Sequence, residues 1–172
     1  ACLHRIFSSG LFLKADLISC VSSAIDIVVP YNFWRFLYFA VDQDSSKLSN
    51  WVRQFNETGR VQFDELTHNK IQRGFVSCSF DDSATLQTIE TVFENYGYLL
   101  DPHGSVAVTA ANHMDKEVGE RVLCLTTAHP AKFPEIIQKA IGIEKPLPKE
   151  AYHNTIELAK NFPEKVHRFK HE

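Results

Sequence analysis

The segment of this chain whose residue types could do chemistry most directly is residues 125–133, which reads LTTAHPAKF. Thr126 and Thr127 follow four apolar residues at 122–125, a run typical of a strand that is buried on both faces. Open α/β sheets bind their ligands at the carboxyl ends of such strands. A hydroxyl at that edge can hydrogen-bond a neutral ring nitrogen of a ligand. The segment predicts either a ligand-binding hydroxyl pair or an ordinary cap at the end of a strand.

A second candidate segment is residues 101–104, which reads DPHG. Asp at the N-cap and Pro in the first turn are typical of the start of a helix. Gly104 would let a ligand approach the backbone amides there, and His103 could reach a substrate or cofactor group. The alternative is a plain capped helix that binds nothing.

Other potentially reactive side chains give weaker signals. Lys132 could be an amine nucleophile, a phosphate contact or a solvated loop residue. His129 lies in the same loop. Ser22 and Ser23 are not part of a G-x-S-x-G motif, so a hydrolase has no support. The remaining histidines are scattered and predicted to lie on the surface, and none of their spacings indicates a metal site; they are His4, His68, His113, His153, His167 and His171.

Composition limits the classes of function. The 172 residues include 18 Lys and Arg against 21 Asp and Glu, which gives a formal net charge of −3. No long basic run is present, so binding to the phosphate backbone of nucleic acid is not expected. Four cysteines lie far apart in the sequence and are predicted to be reduced thiols in a cytoplasmic protein.

The start of the chain and its most apolar stretch give two further expectations. The chain opens ACLHRIFSSG, without an initiator Met or a charged leader, and is expected to be cut from something longer. The apolar stretch at 17–41 is interrupted by Asp26, Pro30, Asn32 and Arg35, so it is not expected to span a membrane.

Hydrophobic periodicity and turn residues predict the elements that position these groups. Strands are predicted at 26–29, 75–80 and 121–126. Helices are predicted at 32–40, 45–55, 63–71, 83–97, 135–141 and 149–160, with another beginning at Asp101. This order indicates an α/β domain in which helices pack on a mostly parallel sheet. Three strands are too few for a complete sheet, so other strands are expected upstream of residue 1.

Several segments, taken in order, resemble threonine synthases. Residues 127–133 match the family string TAHPAKF without a change, and residues 101–107 are similar to its DPH-small-AV stretch. Residues 5–10, 22–27, 30–35 and 146–150 also resemble family segments. Ile6 and Ile25 stand where family members usually have Phe and Met, and both substitutions keep apolar volume.

The resemblance implies the C-terminal part of a fold-type II, tryptophan synthase beta-like enzyme that depends on pyridoxal 5′-phosphate (PLP). Residues 1–172 would be the C-terminal part of the large PLP-binding domain, with 146–172 a helical tail and the N-terminal portion absent. The reaction would convert O-phospho-L-homoserine and water into L-threonine and phosphate.

The resemblance also implies roles for particular residues. Thr127 would be the hydroxyl partner of the pyridine nitrogen, with Thr126 beside it. His129, Lys132 and His103 would be possible active-site loop residues. The Schiff-base lysine and the phosphate loop would lie upstream, so the chain alone is predicted to be inactive and to require the missing N-terminal part as its partner. Two alternatives stay open: a non-catalytic threonine-synthase-like binding module, and a related phospho-lyase acting on another phosphorylated substrate.

Overall fold

The computed structural model describes residues 2–114 and 121–167, and these residues are mostly helical. The α-helices are α1 (Cys2–Ser9), α2 (Asn32–Ala40), α3 (Ser45–Thr58), α4 (Glu65–Gln72), α5 (Asp82–Tyr96), α6 (Pro102–His113), α7 (Pro134–Ile141) and α8 (Asn154–Ala159). Short 3-10 helices lie at Ser23–Ile25, Pro130–Lys132 and Lys149–Ala151. None of the helices in this part of the chain is long and apolar enough to cross a membrane.

The chain divides into two compact units. The first comprises Ala1–Asp82 and Ala110–Val122, and the second comprises Ser83–Thr109 and Leu123–Glu172. Each unit has its own apolar core, so the packing of each can be described separately.

The core of the first unit is strongly aromatic. Phe12 is fully buried, and its ring centroid lies 4.4 Å from that of Phe55, 4.9 Å from Trp34 and 5.8 Å from Phe33. Such ring pairs add to the stabilisation that comes from burial alone. The other buried members of this core are Ile6, Leu37, Val41, Trp51, Val61, Phe63 and Ile71.

Two three-residue strands bring Phe12 into this core. β1 (Leu11–Leu13) pairs with β2 (Arg60–Gln62) in antiparallel register, with Phe12 opposite Val61. Because side chains alternate across a strand, Phe12 and Val61 both face inward while their neighbours are exposed or half-buried.

Capping residues fix the ends of α3 and α4. Asp44 accepts a hydrogen bond from the amide of Lys47 at the start of α3, and Gly59 ends that helix with a left-handed φ of 67°. Asp64 caps α4 through the amide and the hydroxyl of Thr67. The hydrogen bond from the Thr67 amide is the main cause that holds the pKa of Asp64 below its usual value.

The core of the second unit is aliphatic. Ile89 of α5 packs with Leu99 and Leu100, which precede α6, and with Ile137 and Ile141 of α7. In the same unit the Ser105 hydroxyl of α6 donates to the carbonyl of Thr85 at 2.7 Å, which ties α6 to α5. These contacts hold the start of α6 in place.

The described residues correct the predicted sheet. The strand pair β1–β2 is the only sheet in residues 2–114 and 121–167, and it is antiparallel. The predicted strands at 26–29, 75–80 and 121–126 make no ladder there, and a mostly parallel sheet is therefore not seen in this part of the chain. An apolar run can form a strand only where a neighbouring strand accepts its backbone hydrogen bonds.

The predicted burial of residues 122–125 is also wrong. Leu123 is 87% exposed and Leu125 is 73% exposed. The run of apolar residues predicted a buried strand, but no described strand lies beside residues 122–125 to cover these side chains.

Candidate functional site

The start of α6 is organised by the side chain of Asp101, which is 1% exposed. One carboxylate oxygen accepts hydrogen bonds from the amide and from Nδ1 of His103, both at 2.9 Å. The other oxygen accepts from the amide of Gly104 at 3.3 Å, and the Asp101 carbonyl accepts from the amide of Ser105. Pro102 has no amide hydrogen, so Asp101 satisfies every donor in this first turn.

This arrangement favours the capped helix start over the predicted ligand contact with the α6 amides. A phosphate or carboxylate of a ligand would have to displace the Asp101 carboxylate, which is already bound there. The alternative of a capped helix start is therefore the correct one for these backbone groups.

Gly104 has a different role, which is to allow close packing of Thr126. A Cβ atom at position 104 would lie 2.9 Å from Cγ2 of Thr126 and 2.9 Å from Oδ2 of Asp101. Real Cβ atoms essentially never come so close to other heavy atoms. The absence of a side chain at Gly104 thus brings the hydroxyl-bearing loop against the start of α6.

The two threonines of this loop remain accessible. Thr126 and Thr127 are both exposed, and within the described residues the hydroxyl of Thr127 makes no hydrogen bond. A hydroxyl that is not used inside the protein can donate to a ligand. Thr127 is therefore accessible, and its contact with a ligand stays a prediction.

Further along this loop, His129 precedes a 3-10 turn. Nδ1 of His129 accepts a hydrogen bond from the amide of Ala131 at 3.1 Å, which caps the turn Pro130–Lys132. The ring of His129 lies 5.0 Å from that of His153, edge to face. His129 therefore shapes the loop, and Lys132 is exposed at the end of the turn.

His103 connects the loop with the start of α6. Its side chain is 7% exposed, and its ring centroid lies 5.1 Å from that of Phe133. Thr126 and Phe133, at the two ends of the TTAHPAKF segment, thus meet neighbouring residues of α6. The sequence did not single out Asp101 beyond its capping role, although its burial makes it central to this cluster.

Other histidines differ from the surface positions that the sequence predicts. His4 is half-buried and hydrogen-bonds the Ser77 hydroxyl at 3.0 Å, and Nε2 of His68 donates to the Phe7 carbonyl at 2.9 Å. His113 and His153 are exposed, as predicted. His171, predicted to lie in the tail, is outside the described residues.

Neither metal-binding side chains nor thiols form a second candidate site in the described residues. No group of three His, Cys, Asp or Glu side chains there is arranged to hold a metal ion. The four cysteines are free, and desolvation raises the pKa of the thiols of Cys2, Cys20 and Cys78. These thiols are therefore less readily ionised than an ordinary cysteine.

Sequence comparison identifies relatives of this chain. The family model described as threonine synthase, C-terminal, matches residues 104–169. Threonine synthase-like 2 of Xenopus laevis is 34% identical over 149 residues, and threonine synthase of Pseudomonas aeruginosa is 32% identical over 147 residues. The alignments cover 86% and 85% of this chain, respectively.

Structure comparison agrees. The crystal structure of a PLP-bound threonine synthase from Brucella melitensis superposes with a TM-score of 0.75 at 30% sequence identity, covering 86% of this chain and 32% of that one. The chain spans about a third of the length of the relatives that it matches, 31% in both sequence alignments. Over most of its length, this chain is homologous to the C-terminal region of threonine synthases and threonine synthase-like proteins.

Proposed function

We propose that this chain is the C-terminal part of a PLP-dependent threonine synthase, and that it contributes the hydroxyl of Thr127 to the cofactor site. The observation that carries the proposal is the unchanged TAHPAKF segment, whose first hydroxyl is exposed and makes no hydrogen bond within the described residues. The similarity to a PLP-bound threonine synthase supports the same assignment.

The residues present fit one end of this cofactor. The exposed hydroxyl of Thr127 can donate to a pyridine nitrogen, and a hydroxyl brings no negative charge to that nitrogen. The amides at the start of α6 are occupied by Asp101 and would not hold the phosphate group. We therefore assign the phosphate contacts, and the lysine that anchors the cofactor, to a part of the protein outside this chain.

When bound, the cofactor would supply an electron sink for the carbanion chemistry of an amino-acid substrate. Thr127 would orient the ring and set the electronic character of its nitrogen. His129 would hold the shape of the loop through its bond to the Ala131 amide. The proposed substrates are O-phospho-L-homoserine and water, and the products are L-threonine and phosphate. Four free thiols are consistent with a cytoplasmic protein.

The test combines the chain with its proposed partner. The segment of the Pseudomonas aeruginosa relative that this chain does not cover would be produced separately, mixed with the chain and supplied with PLP. We expect a visible absorbance band of bound cofactor and release of phosphate from O-phospho-L-homoserine only in the mixture. If the mixture assembles but shows neither signal, the proposal is wrong.

The role of Thr127 is tested in the same assembly. Thr127→Val should lower phosphate release by at least about tenfold, because it removes one hydrogen bond that orients the reacting ring. Thr127→Ser keeps the hydroxyl and should retain most of the activity. Circular dichroism should show that both variants fold. Equal activity in the Val variant and the parent would contradict the assignment.

The similarity to threonine synthase-like 2 supports a second candidate. That relative is 34% identical to this chain, as similar as the threonine synthase of Pseudomonas aeruginosa. The chain could therefore be part of a phospho-lyase that acts on another phosphorylated substrate, or of a non-catalytic binding module. Phosphate release from a panel of phosphorylated amino acids and amino alcohols separates these cases.

A further inference from the structure

We infer that Asp101 is a positioning residue, which holds His103 in the tautomer with its proton on Nδ1 and so keeps Nε2 as the nitrogen that can accept a proton or a hydrogen bond. The inference deepens the proposed function, on which its relevance to turnover rests. The tautomer itself can be measured without cofactor or substrate.

The hydrogen-bond geometry determines the tautomer. Oδ1 of Asp101 lies 2.9 Å from Nδ1 of His103, and an ionised carboxylate can only accept hydrogen bonds. Nδ1 must therefore donate, so in the neutral ring the lone pair is on Nε2. Both side chains are nearly buried, at 1% and 7% exposure, so little water competes for this bond.

The surroundings of the pair fix the position of the ring as well. The same Oδ1 accepts from the His103 amide, which joins side chain and backbone at one oxygen. The ring of Phe133 also contacts the His103 ring, with 5.1 Å between the two ring centroids. His103 is thus held by Asp101 at the start of α6 and also contacts Phe133 at the end of the TTAHPAKF segment.

This role goes beyond capping, since capping alone does not need a carboxylate. Serine is about as good an N-cap as aspartate, but its shorter hydroxyl would not keep the contact with the imidazole. Asp101→Ser therefore separates the two roles. Asp44→Ser is a matched control, because Asp44 caps α3 through the Lys47 amide and makes no hydrogen bond to a histidine within the described residues.

The readout is the 15N NMR spectrum of the histidine rings at about pH 9, well above the ordinary histidine pKa of about 6.5. His103→Gln identifies the His103 signals. We expect a proton on Nδ1 in the parent chain and in Asp44→Ser, and a majority of Nε2-protonated ring in Asp101→Ser. A parent spectrum with the proton mainly on Nε2, or the same ratio in parent and Asp101→Ser, overturns the inference.

Activity in the assembled protein then tests the contribution to turnover. Asp101→Ser should lower phosphate release by on the order of tenfold with cofactor binding retained, and Asp44→Ser should lower neither. A shifted tautomer with unchanged turnover would overturn the positioning role. If even the unmodified assembly binds no PLP, the proposed function fails, but the tautomer measurement still decides the Asp101–His103 interaction.

Discussion

Gly104 lies where the start of α6 packs closely against Thr126. We expect Gly104→Ala to destabilise the protein by about 1–3 kcal/mol, although alanine is the better helix former, because the added Cβ would overlap Thr126 and Asp101. Chemical denaturation followed by circular dichroism measures the change in unfolding free energy.

Asn112→Ala supplies the control for this prediction. Asn112 is exposed near the end of the same helix, so its replacement should be neutral or slightly stabilising through helix propensity alone. If both alanine variants were stabilised alike, Gly104 would not be needed for the contact with Thr126.

At the scale of single elements, the cap of α4 predicts how stability depends on pH. The pKa of Asp64 is lowered in the folded chain by its hydrogen bonds to Thr67, with a smaller contribution from Lys47. Its contribution to stability is therefore complete above the ordinary aspartate pKa of about 3.9, and is lost as the pH falls through the lower folded value.

The measurement compares unfolding free energies between about pH 6 and pH 2. Asp64→Asn keeps a capping oxygen but cannot titrate, so its stability should fall less steeply than that of the parent in this range. Asp16→Asn removes an exposed carboxylate that makes no hydrogen bond within the described residues, and it should follow the parent curve. Parallel curves for all three proteins would contradict the role of Asp64.

Most helices could be predicted from the sequence because their ends carry distinct signals. α2 and α7 begin and end within one residue of the prediction, since Pro30 and Pro134 mark their starts and their apolar faces are regular. No helix was predicted at α1, because serine and glycine at positions 8–10 are typical of turns; in the structure Ser8 and Ser9 end the helix and Gly10 follows it.

The strands were predicted poorly for a different physical reason. Whether residues 122–125 form a strand depends on a neighbouring strand, which no local pattern reveals. β1 and β2 are only three residues long, too short to show alternation. At the site, residue types indicated Thr127, but the Asp101–His103 bond and the Gly104–Thr126 contact depend on tertiary packing that spacing does not encode.

At the scale of the whole molecule, we propose that Leu123 and Leu125 belong to a surface that the remaining part of a longer threonine synthase-like protein would cover. Leu123 is 87% exposed and Leu125 is 73% exposed, and the chain spans about a third of the length of its relatives. We expect the double substitution Leu123→Ser and Leu125→Ser to weaken assembly with the complementary segment by about tenfold or more, since each buried leucine contributes about 1.5–3 kcal/mol.

Analytical ultracentrifugation of the mixture measures this assembly, and binding of a hydrophobic dye to the chain alone should fall in the same variant. Leu66→Ser is the control, because Leu66 is 78% exposed on α4 and belongs to the first compact unit, whereas Leu123 and Leu125 belong to the second. It should reduce dye binding slightly and leave assembly unchanged. Equal assembly of the double variant and the parent would show that this segment is not covered by the partner.

The buried carboxylate at the start of α6 also has a consequence for how a substrate could approach. The amides at the start of α6 already donate to the Asp101 carboxylate, so they offer little attraction to an anion. Under the proposed function, the phosphate of O-phospho-L-homoserine would therefore lie away from the start of α6. A side chain that solvent hardly reaches would then influence how the substrate is oriented.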